Sequence, residues 1–151
     1  VWLPVFLSKK FVPIAKISIK RRDRWESEEE LFESFRKKKI FRSISDKGLR
    51  LFAKHATKPA PEGGIQLAYS KEWETQVYCT PIQPWKYLKQ LNIPTLIIKA
   101  QYSNVITKGV WDDIQSTVKN GTFVEMQGTS HLVPMEAPDR LADLIKKWLK
   151  E

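Results

Sequence analysis

The sequence contains a single cysteine, Cys79, so a disulfide within the chain is excluded and a metal site would need other ligands. We interpret Cys79 as a small buried residue on a helix. The scarcity of cysteine fits a reducing, cytoplasmic location. No stretch without charge reaches the roughly 18 residues that a membrane span needs. We therefore expect no transmembrane segment.

Acidic residues are few in the first part of the chain. Residues 1–60 contain 16 Lys or Arg and 7 Asp or Glu, a difference of +9, whereas residues 61–151 contain 10 of each. Basic runs of this kind attract phosphates, anionic lipid or acidic substrates. We favour solvated helix faces, and we expect no specific nucleic-acid binding because no nucleic-acid motif is present.

Residues 9–91 have the patterns of mostly helical material. Ser27 and Glu30 form a capping box ahead of apolar residues at helical spacing, which predicts a helix over 28–38. Several prolines and glycines over 58–64 break regular secondary structure and predict a loop. Further helices are predicted to begin at Pro13, Asp46 and Ser70. The apolar residues expected to face inward on these helices are Ile14, Ile17, Leu49, Phe52, Trp73 and Val77.

The pattern changes at residue 92. A short, β-branched apolar run over 93–98 is typical of a strand buried on both faces of a parallel sheet. A helix over 107–118, a strand over 122–126 and a helix over 138–149 follow, and this alternation predicts an α/β fold. Two parallel strands cannot form a stable covered sheet alone, so the predicted sheet is incomplete and its edge could pair with a partner chain or a second copy.

One of the two histidines occupies a position suited to catalysis. His131 lies in Gly128-Thr-Ser-His131, between the second predicted strand and the last helix. An imidazole held on such a loop can accept a serine proton near neutral pH and return it to a leaving group. His55 has no comparable context, and we interpret it as a surface helix residue.

Residues 92–150 resemble the C-terminal half of an α/β-hydrolase, through Asn92-Ile-Pro-Thr-Leu-Ile-Ile-Lys-Ala100, the histidine loop, and Glu136-Ala-Pro138 before an amphipathic helix. Residues 20–91 are similar, more loosely, to the helical cap of some members. The resemblance implies an α/β fold class, specifically an incomplete α/β-hydrolase fold. Its parts would be the end of a core strand at 1–8, a cap at 9–91 and the C-terminal part of the core at 92–151.

The resemblance also assigns roles to individual residues. His131 matches the catalytic histidine, and Glu136 matches a glutamate that orients the loop. The family's acid normally follows the first of these strands, where this chain has Ser103 and Asn104. An amide can hold an imidazole but cannot supply negative charge, and in a serine protease that exchange costs about 10⁴ in turnover. Most tryptophans are expected in the core; the candidates for a substrate pocket are Trp25, Trp73 and Trp85.

The nucleophile is missing. The chain contains no Gly-x-Ser-x-Gly, the turn that exposes the family's catalytic serine. Ser130 is adjacent to His131, and neighbouring side chains on a loop rarely converge. Ser103 would occupy the place of the acid.

The function implied by the resemblance is hydrolysis of an ester or related acyl bond in a small apolar substrate, without metal or organic cofactor. It would require an N-terminal half that carries the nucleophile, so the isolated chain is predicted to be inactive. The alternative, favoured by the missing serine and by Asn104, is a non-catalytic remnant or interaction protein that pairs with another chain. A third class, a basic membrane-surface or nucleic-acid binder, predicts only weak, non-specific binding.

Overall fold

A computed structural model describes residues 12–80 and 82–150, so the strand end predicted within 1–8 lies outside the described residues. The helices are α1 (Pro13–Ser18), α2 (Glu28–Arg36), α3 (Asp46–His55), α4 (Lys71–Cys79), α5 (Trp85–Leu88), α6 (Lys108–Thr117), α7 (Val133–Glu136) and α8 (Pro138–Trp148), with a 3-10 turn at Lys39–Phe41. The strands are β1 (Arg24–Trp25), β2 (Thr57–Pro59), β3 (Ile65–Leu67), β4 (Thr95–Ala100) and β5 (Gly121–Met126).

The described residues divide into two units. The helical unit takes residues 12–39, 49–80 and 82, and the parallel-sheet unit takes residues 40–48 and 83–150. In the helical unit, β1, β3 and β2 form a small antiparallel sheet in that order. The strand β2 was predicted as the start of a loop. The chain reverses between β2 and β3 through Gly63 and Gly64, both at positive φ, so that the two strands pair. The missing Cβ of Gly64 also leaves room for the Trp25 carbonyl oxygen of β1.

The capping box at the start of α2 is present. The Ser27 hydroxyl accepts a hydrogen bond from the Glu30 backbone N–H at 3.2 Å, as predicted. The Glu30 carboxylate accepts from the Glu26 N–H at 2.8 Å, one residue earlier than the capping-box pattern predicts. At α3 the cap is Ser45 rather than Asp46, because the Ser45 hydroxyl accepts the Gly48 N–H at 3.1 Å.

The core of the helical unit forms where α2, α3 and β1 meet. Trp25 is buried and packs edge-on against Phe35, with ring centroids 5.6 Å apart, and Phe35 also packs on Phe52 at 5.7 Å. Burying each such side chain contributes about 1.5–3 kcal/mol. The predicted inward face of α2 is confirmed by its buried residues, which are Leu31, Phe32 and Phe35.

The inward faces predicted for α1 and α4 are wrong. The buried residues of α4 are Thr75 and Cys79, while Trp73 is exposed. In α1 the buried positions are Ala15 and Ser18. Small polar side chains face the neighbouring element in both helices, and apolar periodicity alone cannot detect that arrangement. The prediction for Cys79, a small buried helix residue, is confirmed.

In the parallel-sheet unit, β4 and β5 pair in parallel, with Thr95 opposite Gly121 and Ala100 opposite Met126. One face of this sheet carries a core formed with α7 and α8: Ala100, Met126 and Val133, packed by Ile98, Ala137, Leu141 and Leu144. On α6, Trp111 packs edge-on against Phe123 of β5, with centroids 5.8 Å apart. The predicted strand-helix-strand-helix order is confirmed.

The strands of this sheet are less buried than their sequence predicts. Within the described residues β4 and β5 pair only with each other, and Leu96, Ile97 and Ile98 are half-buried rather than buried on both faces. The prediction of burial on both faces is therefore wrong for the described residues, in which the sheet has two strands and each strand has one unpaired edge. Apolar strands of this kind are typical of the interior of a wider sheet.

Candidate active site

Two loops emerge side by side from the carboxyl ends of β4 and β5, because the last residues of the two strands are opposite each other in the ladder. Backbone hydrogen bonds join the loops: Gln101 N–H donates to the Met126 carbonyl at 3.1 Å, and Tyr102 N–H donates to the Thr129 carbonyl at 3.0 Å. The Gln101 side chain also accepts the Gly128 N–H at 2.8 Å. The loop that carries His131 is therefore fixed to the loop that carries Ser103 and Asn104.

The turn into the histidine loop requires glycine. Gly128 has φ +72°, in the left-handed region, where a side chain would be strained. The next residue, Thr129, is buried, and its hydroxyl donates to the Met126 carbonyl at 2.8 Å. These contacts turn the chain sharply after β5 and anchor it just before the histidine.

Glu136 ties the histidine loop to α7. Its carboxylate accepts the Ser130 backbone N–H at 2.7 Å and also accepts the Ser130 hydroxyl. The resemblance implies that Glu136 orients the histidine loop. Its two hydrogen bonds to Ser130, the residue before His131, agree with that role. The Ser130 hydroxyl is engaged with Glu136.

His131 is exposed at the rim of a cavity of about 240 Å³ within the parallel-sheet unit. Ser103, from the other loop, lines the same cavity, as does Lys99 of β4, whose ammonium is paired with Glu125. Among the described residues no carboxylate lines it. The apolar lining consists of Ile98, Ala100, Ile106, Val133, Pro134 and Leu141.

Ser103 and Asn104 lie in the turn before α6. The Ser103 hydroxyl accepts hydrogen bonds from the backbone N–H groups of Val105 at 3.3 Å and of Ile106 at 3.1 Å. This oxygen orders the turn, which places Asn104 on the exposed side of it. The structure thus brings Ser103 and His131 to one cavity and puts Asn104 next to Ser103 in the chain.

The three tryptophans that the sequence offered as pocket candidates occupy different surroundings. Trp25 packs in the core of the helical unit, and Trp73 is exposed on α4 of the same unit. Trp85 is half-buried on α5 of the parallel-sheet unit. None of them lines the cavity beside His131, and their role in a substrate pocket stays a prediction.

Sequence reasoning missed Lys99. Its side chain is only 9% exposed and forms an ion pair with Glu125, its partner in the parallel register. The hydrogen bond from Lys99, followed by one from Gln127, holds the pKa of Glu125 below its ordinary value. A charged residue within an apolar strand, opposite an acid at the same position of the next strand, was the available signal.

No group of three or more His, Cys, Asp or Glu among residues 12–80 and 82–150 is arranged to hold a metal ion. In the same part of the chain, every helix is too short or too polar to cross a bilayer.

No protein-family model matches this chain, and no curated protein matches it in sequence. Solved structures do match. E-2-(acetamidomethylene)succinate hydrolase aligns with 97% of this chain at a TM-score of 0.75 and 13% identity. The peroxisomal α/β-hydrolase Lpx1 from Saccharomyces cerevisiae aligns with 97% at a TM-score of 0.72 and 20% identity. An esterase of M. tuberculosis aligns with 100% at a TM-score of 0.67 and 13% identity.

The matches cover only part of those proteins: 53% of the succinate hydrolase, 39% of Lpx1 and 53% of the esterase. This chain is thus an α/β protein that spans about half the length, or less, of the structures it matches. Its fold is that of part of an α/β-hydrolase, and the coverage is consistent with the C-terminal half of that fold. At these identities the likeness establishes the fold.

Proposed function

We propose that this chain carries the general base of a serine-type hydrolase that cleaves an ester or a related acyl bond. The observation that supports this most is the position of His131, exposed over a cavity at the carboxyl ends of two parallel strands. Ligand sites in open α/β sheets lie at this end of the strands. The hydrolase names of the structural matches, including an esterase and a thioesterase, agree with the reaction class.

In the proposed reaction a serine oxygen attacks the ester carbonyl carbon while its proton passes to a ring nitrogen of His131. The imidazolium then gives that proton to the departing alkoxide, which leaves as the alcohol. Water attacks the acyl-enzyme in the same way: its proton passes to His131 and then to the serine oxygen as the acid is released. The proposed reaction requires no metal ion and no organic cofactor.

The nucleophile would come from polypeptide outside these 151 residues. Ser130 donates its hydroxyl hydrogen to Glu136, and Ser103 accepts backbone N–H groups in the position proposed for the acid. A Gly-x-Ser-x-Gly turn supplied by an N-terminal half would bring both the serine and an oxyanion hole. We propose that the isolated chain is inactive for this reason.

The proposed base, His131, would be oriented by groups that carry no charge. Asn104 takes the place of an aspartate, with Ser103 beside it, so His131 would be positioned by neutral groups. A neutral partner cannot stabilise the imidazolium that forms during acylation, which predicts slow turnover. Glu136 would act only by holding the loop through Ser130.

The substrate we propose is a small apolar ester, because most of the cavity beside His131 is lined by aliphatic side chains. Residues 9–91 would act as a cap, with Trp25, Trp73 and Trp85 as candidates for contact with substrate, and residues 92–151 as the C-terminal part of the core. The single buried cysteine fits a reducing compartment, and a cytoplasmic location is part of this proposal.

The test is a chromogenic-ester assay on two proteins. The first is the 151-residue chain, and the second is the protein expressed from the complete natural reading frame around it. We expect turnover from the second only, since only there can a serine be supplied to His131. Turnover by the isolated chain that exceeds a His131→Ala control would contradict the proposed division of the active site.

A second candidate is a non-catalytic protein that pairs with another chain or with a second copy of itself. The half-buried apolar strands β4 and β5, each with an unpaired edge among the described residues, favour it. Sedimentation of the isolated chain separates the candidates. A stable dimer, together with an inactive full-length protein, would support pairing over hydrolysis.

A further inference from the structure

Gln101, the first residue after β4, contacts the turn before the histidine loop at two points. Its backbone N–H donates to the Met126 carbonyl at 3.1 Å, and its side-chain amide oxygen accepts the Gly128 N–H at 2.8 Å. Met126 is the last residue of β5, and Gly128 is the turn residue at φ +72°. Because hydrogen bonds are directional, two bonds from one residue to separate points of a turn restrict its orientation more than either bond alone.

The two contacts of Gln101 make different demands on the sequence. Any residue except proline could donate the backbone hydrogen bond to Met126. The hydrogen bond from Gly128 needs a side chain that places an acceptor oxygen where the glutamine amide places it. Gly128 is exposed, so water can accept from its N–H when that oxygen is removed, and the fold does not depend on the contact. The side chain of Gln101 therefore contributes orientation more than stability.

The contact joins the two loops on whose spacing the proposed reaction depends. Gln101 lies two residues before Ser103 and three before Asn104, in the loop after β4. Gly128 lies three residues before His131, in the loop after β5. Ser103 and His131 line the same cavity, one from each loop. A shift of one loop against the other would change the distance between the imidazole and the groups proposed to orient it.

We propose that Gln101 is a positioning residue for His131, and that its amide oxygen acts through Gly128 to set the histidine loop relative to the loop after β4. The inference rests on the proposed function, because it concerns His131 as the general base. Gln101 does not line the cavity, so it acts through the loop and does not touch substrate. A displaced general base slows the chemical step and leaves substrate binding nearly unchanged.

The first measurement compares kcat and KM of the complete protein with a chromogenic ester. Gln101→Ala should lower kcat about tenfold and change KM by less than about twofold, since only the placement of the base is altered. Gln101→Glu keeps an oxygen at the same distance from the backbone, so it should restore kcat to within about threefold of the unsubstituted protein. A tenfold change in KM with constant kcat would overturn the proposal.

Gln127 provides the matched control. It precedes Gly128 in the same turn and is exposed, but its side chain donates to Glu125 at 3.1 Å and not to the loop after β4. Gln127→Ala removes the same kind of side chain from the same turn and should leave kcat unchanged. If it lowers kcat as much as Gln101→Ala does, the effect does not depend on the contact between the loops and the proposal is wrong.

A second measurement does not depend on activity. Hydrogen exchange of the Gly128 amide, followed by NMR in the 151-residue chain, should be at least about fivefold faster in Gln101→Ala, because the amide loses its acceptor. In Gln101→Glu the rate should stay close to that of the unsubstituted chain. Equal exchange rates in all three proteins would show that the contact does not restrain the turn, and would overturn the proposal.

The variant His131→Ala separates failure of this inference from failure of the proposed function. If the complete protein has no turnover, or turnover that survives His131→Ala, the assignment of the base is wrong and the positioning role of Gln101 is wrong with it. If His131→Ala abolishes turnover while Gln101→Ala retains the full kcat, the proposed function stands and only the role of Gln101 is wrong.

Discussion

Glu136 accepts both hydrogen-bond donors of Ser130, its backbone N–H at 2.7 Å and its hydroxyl. The pair closes a segment of seven residues, 130–136, that contains His131. Since Ser130 immediately precedes the histidine, its restraint also limits the orientations available to the imidazole. Just before this segment, the Thr129 hydroxyl donates a hydrogen bond to the Met126 carbonyl and so anchors the chain at the end of β5.

Replacing Glu136 by alanine should lower the free energy of unfolding by about 1–3 kcal/mol, because a partly buried N–H and hydroxyl lose a charged acceptor. Urea denaturation of the isolated chain measures this. The control is Asp143→Asn, which breaks only an exposed contact of 3.9 Å with Lys146 and should change stability by less than about 0.5 kcal/mol. Equal effects from the two variants would mean that Glu136 does not hold the loop.

Replacing two glycines by alanine, one at a time, should change the stability of the chain in opposite directions. At Gly128, φ +72° strains any side chain, so Gly128→Ala should destabilise the chain by about 1–2 kcal/mol. Gly109 lies in the first turn of α6 with open space around its Cβ direction, so Gly109→Ala should stabilise by about 0.4–1 kcal/mol. The midpoints of thermal unfolding should move in opposite directions, and a midpoint that does not fall in Gly128→Ala would refute the turn geometry before His131.

The Lys99–Glu125 pair gives the stability a pH dependence. The pKa of Glu125 is lowered from its ordinary value of 4.5, first by the Lys99 hydrogen bond. A carboxyl whose pKa is lower in the folded state contributes stability that is present above its unfolded pKa and is lost as pH falls through the folded one. The chain should therefore lose this contribution at pH values below about 4.5.

Glu125→Gln should remove that contribution at neutral pH and flatten the acid limb of the stability curve. It also leaves the Lys99 ammonium, 9% exposed, without its partner. Lys99→Met removes the buried charge itself, so it should lower the free energy of unfolding less than Glu125→Gln does, or leave it unchanged. Urea midpoints measured across the acid range decide this, and a steeper acid limb in Glu125→Gln would show that the pair has been assigned incorrectly.

If Asn104 stands where the orienting acid belongs, then Asn104→Asp should raise ester turnover by the complete protein more than about tenfold, because a carboxylate stabilises the imidazolium. Asn120→Asp, in the exposed turn before β5, is the matched control and should have no effect on turnover. The two variants are compared by kcat with a chromogenic ester. An unchanged rate in Asn104→Asp would indicate that another group positions the histidine.

Local signals predicted much of this fold. Ser27 and Ser70 predicted the starts of α2 and α4, and both hydroxyls accept hydrogen bonds from the backbone N–H groups three residues later. The β-branched run after residue 92 and the strand before Gly128 were found because buried parallel strands have continuous apolar sequences. His131 was found because a strand, a glycine turn and a closing helix surround it.

What the sequence did not reveal depends on partners distant in the chain. Trp73 was expected inside because it is apolar, but α4 buries Thr75 against Ser18 of α1, 57 residues away. Lys99 was overlooked because its partner Glu125 becomes its neighbour only when β4 and β5 pair. The cavity shared by Ser103 and His131 likewise depends on the pairing of two loops, which no local pattern specifies.

The most direct measurement is the ester turnover of the complete protein with each histidine replaced in turn. His131→Ala should reduce kcat/KM by at least about 10³-fold, because the serine loses the group that takes its proton. His55→Ala, at an exposed position of α3, should leave the rate unchanged. Turnover that survives in His131→Ala, or falls equally in both variants, would contradict the assignment of His131 as the catalytic base.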